Sequence, residues 1–523
     1  MFEESVSFGV FRMFFIVTVS ILSVELKIAT QLPIAIAIRN LYFHPLSRYP
    51  GPSTWCAFRF RYCYTLWKGD LVQDLHRIHL QYGPFVRVAP NEISVAHPDG
   101  WDDIHRRRPG HLSFPKNPIW WGELPDRTPS IVSAATPEDH KRMRDLLSHC
   151  FTPKALKAQE STINLHINKM IEELRKRCLQ GQNSKSAVVN IVEWFCFVTF
   201  DITGDLGFAE SFHCLESNSM HPWVEELFSY GRVGALVAAM RHYAVLFKIF
   251  MQCIPKSVLD ASLANFNWGV QKTHQRLNLE VQREDWIKYI LHNSNEETGD
   301  SLSIGELENN MNVLIFAGSD TCSTVLSGTT NHLIKSPHAL LKLTNEIRTT
   351  YSSMAEMTFE SLQRLSYLNA VIEEGLRMCP PNPSGLQHIV PVGGDTVLGH
   401  WLPAGTHVGV HQQSLYRSPH YFHEANTFHP ERWLSSAKSL PGSPFRDDKL
   451  EAVQSFSTGT WGCIGKGLAL AELRSVMARL VWNFDMSVAP GGRDVDWLSQ
   501  KSYAMLERQP LDVQLVLERS ETL

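Results

Sequence analysis

Apolar residues recur with the period of one helix face over residues 138–150, 155–180, 188–206, 256–290, 304–335, 336–350, 360–379 and 464–483. That pattern predicts a chain built mostly of helices. Apolar and polar residues alternate near Val86–Val88 and Ile93–Val95, and again between Gln387 and Val410, which predicts short strands. The segments Asn293–Asp300 and Ser435–Asp448 are polar and rich in turn formers, so they read as surface loops. No internal repeat and no low-complexity tract interrupts the pattern. The expected fold class is mainly α with a minor β-sheet region, in a single large domain.

The N-terminus differs in kind. Residues 6–24 are apolar except for Arg12 and have about the length that spans a bilayer. A second apolar stretch, Ile28–Ile38, is broken by Pro33. We read one membrane anchor within residues 1–38, followed by a stiff proline-rich hinge at 39–52 and a body at 53–523. Glu3 and Glu4 precede the anchor and Lys27, Arg39 and Arg48 follow it, which orients the body toward the cytosol. A cleaved signal peptide is the competing reading; Arg12 and the lack of a small-x-small cleavage site weigh against it.

Composition narrows the function. With 49 Lys and Arg against 53 Asp and Glu, the net charge of -4 is interspersed along the chain and gives no footing for nucleic acid. The 10 cysteines are scattered, with no C-x-x-C spacing, so neither a zinc site nor a disulfide framework is expected. A reducing compartment fits that usage. No Gly-x-Gly-x-x-Gly turn opens a helix after a strand, so a nicotinamide cofactor is not expected to bind this chain itself.

Cys463 lies in the run Phe456-Ser457-Thr458-Gly459-Thr460-Trp461-Gly462-Cys463-Ile464-Gly465, just before an apolar helical stretch. Its glycines let a turn pass close to something flat, and helix N-terminal amides favour a thiolate. A thiolate offered from a tight loop is what an axial ligand to haem iron requires. The alternative is a half-buried structural cysteine. Residues 313–324 start apolar but place Gly318, Asp320 and Thr321 mid-helix. An acid beside an alcohol can relay protons, and the threonine hydroxyl can divert a helix carbonyl. The plainer reading is a tightly packed helix with Asp320 in a salt bridge.

Glu374 and Arg377 share one helix face, and with Arg432 they form either a buried carboxylate between two guanidiniums or an exposed pair of little consequence. His140 and Arg144 also share a face, suited to carboxylates or else simply solvated.

These runs together resemble the cytochrome P-450 family, whose haem loop reads Phe-x-x-Gly-x-Arg-x-Cys-x-Gly. Phe456, Gly459, Cys463 and Gly465 fall on its positions, and Trp461 stands where the family usually has arginine. Ala317-Gly318-Ser319-Asp320-Thr321 is similar to its oxygen-binding helix motif, Glu374-Gly375-Leu376-Arg377 to its Glu-x-x-Arg, and Pro430-Glu431-Arg432-Trp433 to the segment that supplies a second arginine. The resemblance implies the family fold, with haem b held between the oxygen-binding helix and the cysteine-loop helix. It implies Cys463 as the iron ligand and Asp320 with Thr321 as the proton-delivering pair for O–O cleavage. Glu374, Arg377 and Arg432 become structural residues that fix the loop.

His140, Arg144 and His388, the last at a position where relatives often carry arginine, become the propionate partners. Trp461 is expected to cover the porphyrin edge and offer its indole N–H, so haem retention should be weaker, or lean more on those residues. On that reading Trp461→Arg raises haem occupancy.

The implied activity is insertion of one oxygen atom from dioxygen into a lipophilic small molecule. Electrons come from NADPH through a separate NADPH–cytochrome reductase, with cytochrome b5 a further candidate partner. The implied location is the endoplasmic reticulum membrane, and the resemblance is greatest to fungal members that oxidise terpenoid, polyketide or alkaloid intermediates of secondary metabolism. Substrate contacts are expected from His111–Trp121, the helix at Ala317, Ser384–His388 and Tyr503–Met505. Two other classes remain open: a haem-binding membrane protein without oxygenation, and an isomerase or dehydratase that needs no reductase.

Overall fold

The computed structural model describes residues 31–122, 127–134, 136–180, 185–280, 283–294, 301–503 and 505–518. Its centre is a helix, Ile191–Phe208, buried around nearly its whole circumference, as its uniformly apolar sequence demands. Against it packs the longest helix of the described residues, Ile304–Ile334, opened by a capping box in which Ser303 and Glu306 satisfy each other's backbone amides. Helices Pro153–Gln180, Ser366–Met378 and Lys466–Asn483 pack around this pair and share one hydrophobic core with it.

The sheets lie outside the helical core. Strands Phe85–Ala89, Glu92–Val95, His407–Val410 and His388–Ile389 form one sheet in that order, with Glu92–Val95 and His407–Val410 parallel and the outer pairs antiparallel. Asp512–Leu517 pairs antiparallel with both Ser186–Asn190 and Phe484–Val488. Two-stranded ribbons occur at Asp395–Val397 with His400–Leu402 and at Ser502–Tyr503 with Met505–Leu506.

Several boundaries differ from the sequence reading, each for a local reason. The stretch 256–290 is two helices, Lys256–Leu277 and Trp286–His292, because Asp285 accepts from the Lys288 amide at 3.0 Å and so caps the second. Arg276 holds that same carboxylate at 2.6 Å. The stretch 360–379 breaks between Gln363 and Ser366, where the Glu346 carboxylate takes the Tyr367 and Leu368 amides, both at 2.8 Å. Residues 188–190 belong to a strand, since pairing with the distant C-terminal strand overrides local periodicity.

Helices Phe60–Lys68, Leu71–Tyr82, Pro222–Arg241 and Ala244–Cys253 were not foreseen. The last is short and mostly apolar, with Val245, Leu246 and Ile249 exposed alongside Lys248. The segment expected as a loop at Ser435–Asp448 begins with a short helix, Ser435–Ser439, and ends on a buried residue, Asp448. Of the loop Asn293–Asp300, residues 295–300 lie outside the described residues.

The apolar run at 6–24 also lies outside them, and among the described residues no helix is long and apolar enough to cross a membrane. Residues 31–38 are helical, with Leu32, Ile34, Ile36 and Ile38 exposed. The segment expected as a hinge is docked on the body: Leu46 and Tyr49 are buried, and Arg48 and the Tyr49 hydroxyl both donate to the Trp401 carbonyl at 2.9 Å.

Candidate active site

The cysteine loop closes on itself where the Cys463 amide donates to the Phe456 carbonyl at 2.8 Å, and the helix Lys466–Asn483 follows at once. Gly459 has φ +66, and a Cβ there would lie 2.2 Å from the His105 carbonyl oxygen, so this glycine is required by contact with the helix Gly100–His105. Gly462 and Gly465 have ordinary negative φ (-62 and -82). A Cβ at Gly465 would meet only the Cys463 sulfur, 3.8 Å away. Phe456 is half-buried at the edge of the main core, with the Lys466 ammonium 5.6 Å over its ring.

The Cys463 side chain is accessible although protein surrounds it, which places it in a recessed cleft rather than on the outer surface. Burial raises the thiol above its ordinary pKa, while the Gly465 and Lys466 amides and the Arg144 charge pull it down without winning. The expected helix N-terminal amides are thus in place, but by themselves they do not make a thiolate. A coordinated metal ion would deprotonate the sulfur outright.

Around Trp461 gathers a group of basic side chains. His140 and Arg144, on the helix Pro137–Ser148, lie beside the loop: the His140 ring is 4.3 Å from the Trp461 ring, and Arg144 donates to the Gly462 carbonyl. His388 is 6.1 Å from Trp461 and 4.6 Å from His105, ring to ring. The Trp461 indole donates to the Phe114 carbonyl at 3.2 Å, so its N–H is already used, contrary to the expectation that it is on offer to a carboxylate.

Lys116, which the sequence reading did not single out, lies over Trp461 with its ammonium 4.9 Å from the ring centroid. Burial, then Arg144, lowers its pKa to about 7. Burial, then Lys116 and Arg144, lowers His140 to about 3, and burial lowers His388 to about 4. Among the described residues, no acidic group acts on Lys116, His140 or His388. His140 Nδ1, His388 Nε2 and His105 Nε2 are buried without hydrogen-bond partners.

On the long helix, Ala317 is exposed and Thr321, one turn on, partly so between the buried Asp320 and Cys322, which marks the face turned to the cleft. The Thr321 hydroxyl donates to the Ala317 carbonyl at 2.8 Å, and the chain continues as α-helix through this point. Gly318 faces Thr203 on the helix Ile191–Phe208, where a Cβ would meet the threonine methyl at 3.1 Å. It therefore serves helix packing, and Ala317 is the small residue on the cleft.

Asp320 is buried and paired at 2.7 Å with Arg508, a partner absent from the sequence reading. Burial raises the Asp320 carboxyl above its ordinary value against the pull of Arg508. Facing this helix from Lys466–Asn483 is Glu472, buried, its carboxyl pushed up to about 8 by burial. The Cys322 thiol lies beside that carboxyl and lowers it without offsetting burial, and Cys463 in turn is near enough to act on Cys322.

Glu374, Arg377 and Arg432 are each fully buried and in contact. Arg377 grips Glu374 through two parallel bonds of 2.8 and 2.7 Å, and Arg432 Nε lies 3.1 Å from the same carboxylate. The His429 amide and the Trp433 indole each donate to it at 2.9 Å. Despite burial, these partners hold the carboxyl at about 2. Arg377 also donates to the Tyr416 and Ala425 carbonyls at 2.6 and 2.7 Å, and Arg432 pairs with Asp448. Asp448 completes the network although it sits in a stretch that reads as loop.

The expected substrate-contact segments divide. His111 is held by Asp395 at 2.7 Å, and Phe114–Asn117 runs along the strand at His388, with the Asn117 amide donating to the Gln387 carbonyl at 3.0 Å. Gly385, with φ +73, brings its turn so close to Val410 that a Cβ would lie 2.0 Å from the Val410 carbonyl oxygen. Tyr503 packs against Gly69. Ala504 lies outside the described residues.

The same framework recurs in known proteins. A family model described as Cytochrome P450 matches residues 45–515, and the chain belongs to the cytochrome P450 family. It is 36% identical over 485 residues to cytochrome P450 monooxygenase efuB of Hormonema carpetanum, covering 92% of this chain and 94% of that protein. It is 35% identical over 488 residues to cytochrome P450 monooxygenase astA of Talaromyces wortmannii, covering 93% and 95%. Cytochrome P450 monooxygenase astJ of Aspergillus oryzae is 36% identical over 479 residues, covering 91% of this chain and 93% of that protein.

The protein is accordingly an oxidoreductase of the monooxygenase class, with haem b as its prosthetic group and electrons delivered from NADPH by a reductase. The residues present fit that group. An accessible cysteine surrounded by protein would offer the ligand, and a cluster of basic side chains with orphaned ring nitrogens would offer partners for two carboxylates.

Proposed function

We propose that this chain is a membrane-associated fungal monooxygenase that oxidises a lipophilic small molecule in secondary metabolism, with Cys463 as the iron ligand. The observation that carries the reading is Cys463, recessed yet accessible, beside the basic cluster and close to the long helix that bears Thr321. Bound haem supplies the oxygen-activating chemistry that no side chain here possesses.

Each part of the chain then has a task. Cys463 ligates, and the Gly465 and Lys466 amides moderate the charge on its sulfur. Phe456, Gly459 and Gly465 shape the loop, Trp461 would cover one edge of the haem, and His140, Arg144 and His388 would hold its carboxylates. Asp320 passes a proton to the Thr321 hydroxyl, which faces the cleft; the hydroxyl's own proton is held by the Ala317 carbonyl, which leaves its oxygen to accept. Glu374, Arg377 and Arg432 are structural: they tie the helix Ser366–Met378 to the segment before the cysteine loop.

The proposed division keeps an anchor at 1–38, a segment at 39–52 and a catalytic body at 53–523. Membrane association at the endoplasmic reticulum is supported by the apolar run at 6–24, the exposed apolar side chains of 31–38, and the exposed apolar faces of Ala244–Cys253. Such a surface suits a substrate that arrives from the bilayer. The reductase would meet a body facing the cytosol, as would cytochrome b5 where it takes part. The fungal origin of the relatives supports a role in secondary metabolism, with terpenoids, polyketides and alkaloids as substrate classes.

The test is reductase-coupled turnover with the purified protein and a panel of such lipophiles. The reading expects NADPH consumption that rises with one of them and a product heavier by one oxygen atom from dioxygen. Substrate-independent NADPH consumption and no oxygenated product across the panel would count against it.

A further inference from the structure

Trp461 removes a fixed positive charge from the family's loop, and the structure brings a different cation to the same place. Lys116 comes from the segment Phe114–Asn117, which bridges to His388 and is tied down by the Asn117 amide on Gln387 and the Ile389 amide on Pro115, both bonds 3.0 Å. Its ammonium lies 4.9 Å over the Trp461 ring and donates to the Ile131 and Val132 carbonyls at 3.0 and 2.7 Å. An ammonium carries one donor more than those two carbonyls accept. Among the described residues no carboxylate acts on it, and a cation withdrawn from water is costly unless an anion completes it.

The neighbouring basic groups are less free to supply that charge. His388 Nδ1 donates to the Phe114 carbonyl at 3.1 Å, so in the neutral ring its orphaned Nε2 is an acceptor and would meet a carboxylate only through a shared proton or a water. Arg144 donates to the Gly462 carbonyl. His140 lies between Lys116 and Arg144 and is kept neutral by burial and by both of them.

We propose that Lys116 is the cationic partner of a haem propionate in place of the missing loop arginine, seated on the Trp461 ring by a cation–π contact. The proposal rests on the haem–thiolate reading above. On this proposal the charge lost at Trp461 is restored from another segment, so Trp461→Arg alone changes haem occupancy little.

The experiment measures haem transfer from the purified full-length holoprotein to excess apomyoglobin, for the parent, Lys116→Met, Lys116→Arg and the double variant Lys116→Met/Trp461→Arg. The same set is reconstituted with the dimethyl ester of iron protoporphyrin IX, which has no carboxylates. Lys116→Met should release haem b roughly ten- to a hundredfold faster, the scale of one charge-assisted hydrogen bond. Lys116→Arg and the double variant should stay close to the parent, and all four should release the ester at similar rates.

Unchanged release of haem b from Lys116→Met, or no recovery in the double variant, overturns the proposal. So does equally accelerated release of the ester, because the lysine would then be merely structural. The carbon monoxide spectrum of the reduced parent is recorded alongside. Absence of a thiolate-type Soret band there would overturn the haem–thiolate reading itself, a result distinct from failure of the lysine.

Discussion

Arg508, from the segment before the C-terminal strand, lies with Nη2 2.7 Å from the Asp320 carboxylate, while its Nη1 donates to the Asp320 carbonyl at 2.8 Å and to the Ser323 hydroxyl at 2.7 Å. One guanidinium therefore holds both the side chain and the backbone of the acid proposed to deliver protons. Breaking a buried pair leaves an uncompensated charge. Arg508→Met is expected to lower stability by roughly 3–5 kcal/mol and to divert electrons from product to peroxide. Denaturant unfolding and the ratio of peroxide to NADPH consumed check both, and an unchanged ratio would separate Arg508 from proton delivery. Asp320→Asn in the Arg508→Met background should cost much less than it does alone.

The Glu374 network gives a pH dependence with a definite sign. Its carboxyl is held at about 2, below the ordinary value of 4.5. The stabilisation is complete above 4.5 and is lost as pH falls from there through about 2. Glu374→Gln should remove that acid limb of the stability profile and cost roughly 3–5 kcal/mol at neutral pH. Urea unfolding across the acid range measures it. A variant as stable as the parent at pH 7 would contradict the structural role.

Glu472 behaves in the opposite way. Burial without a cation raises its carboxyl from 4.5 to about 8, so the folded protein keeps a proton that the unfolded chain gives up. Stability should fall as pH rises from 4.5 to about 8 and level off beyond. Glu472→Gln keeps the shape without the titration, so the variant should gain on the parent between pH 5 and pH 8. Parallel profiles for the two proteins would mean that Glu472 is ionised and partnered in solution.

Much of this was readable from the chain because local chemistry wrote it. The capped helix Ile304–Ile334, the Glu374–Arg377 spacing and the loop around Cys463 all lie in continuous runs whose periodicity and turn residues match their structure. What escaped depends on contacts between distant segments. Arg508 stands 188 residues from Asp320, and Lys116 meets Trp461 only because its segment pairs beside His388. Asp448 sits in a polar stretch and becomes buried only by pairing with Arg432. The salt bridge weighed as the plainer alternative for Asp320 is present, and it coexists with the cleft-facing Thr321 rather than replacing it.

The sulfur of Cys463 is the point on which the rest turns. The direct measurement is the absorption spectrum of the reduced protein under carbon monoxide, compared between the parent and Cys463→Ser. A thiolate-type Soret band in the parent that disappears in the variant, together with its turnover, is the predicted result. A variant that keeps the parent's spectrum and turnover would contradict the account.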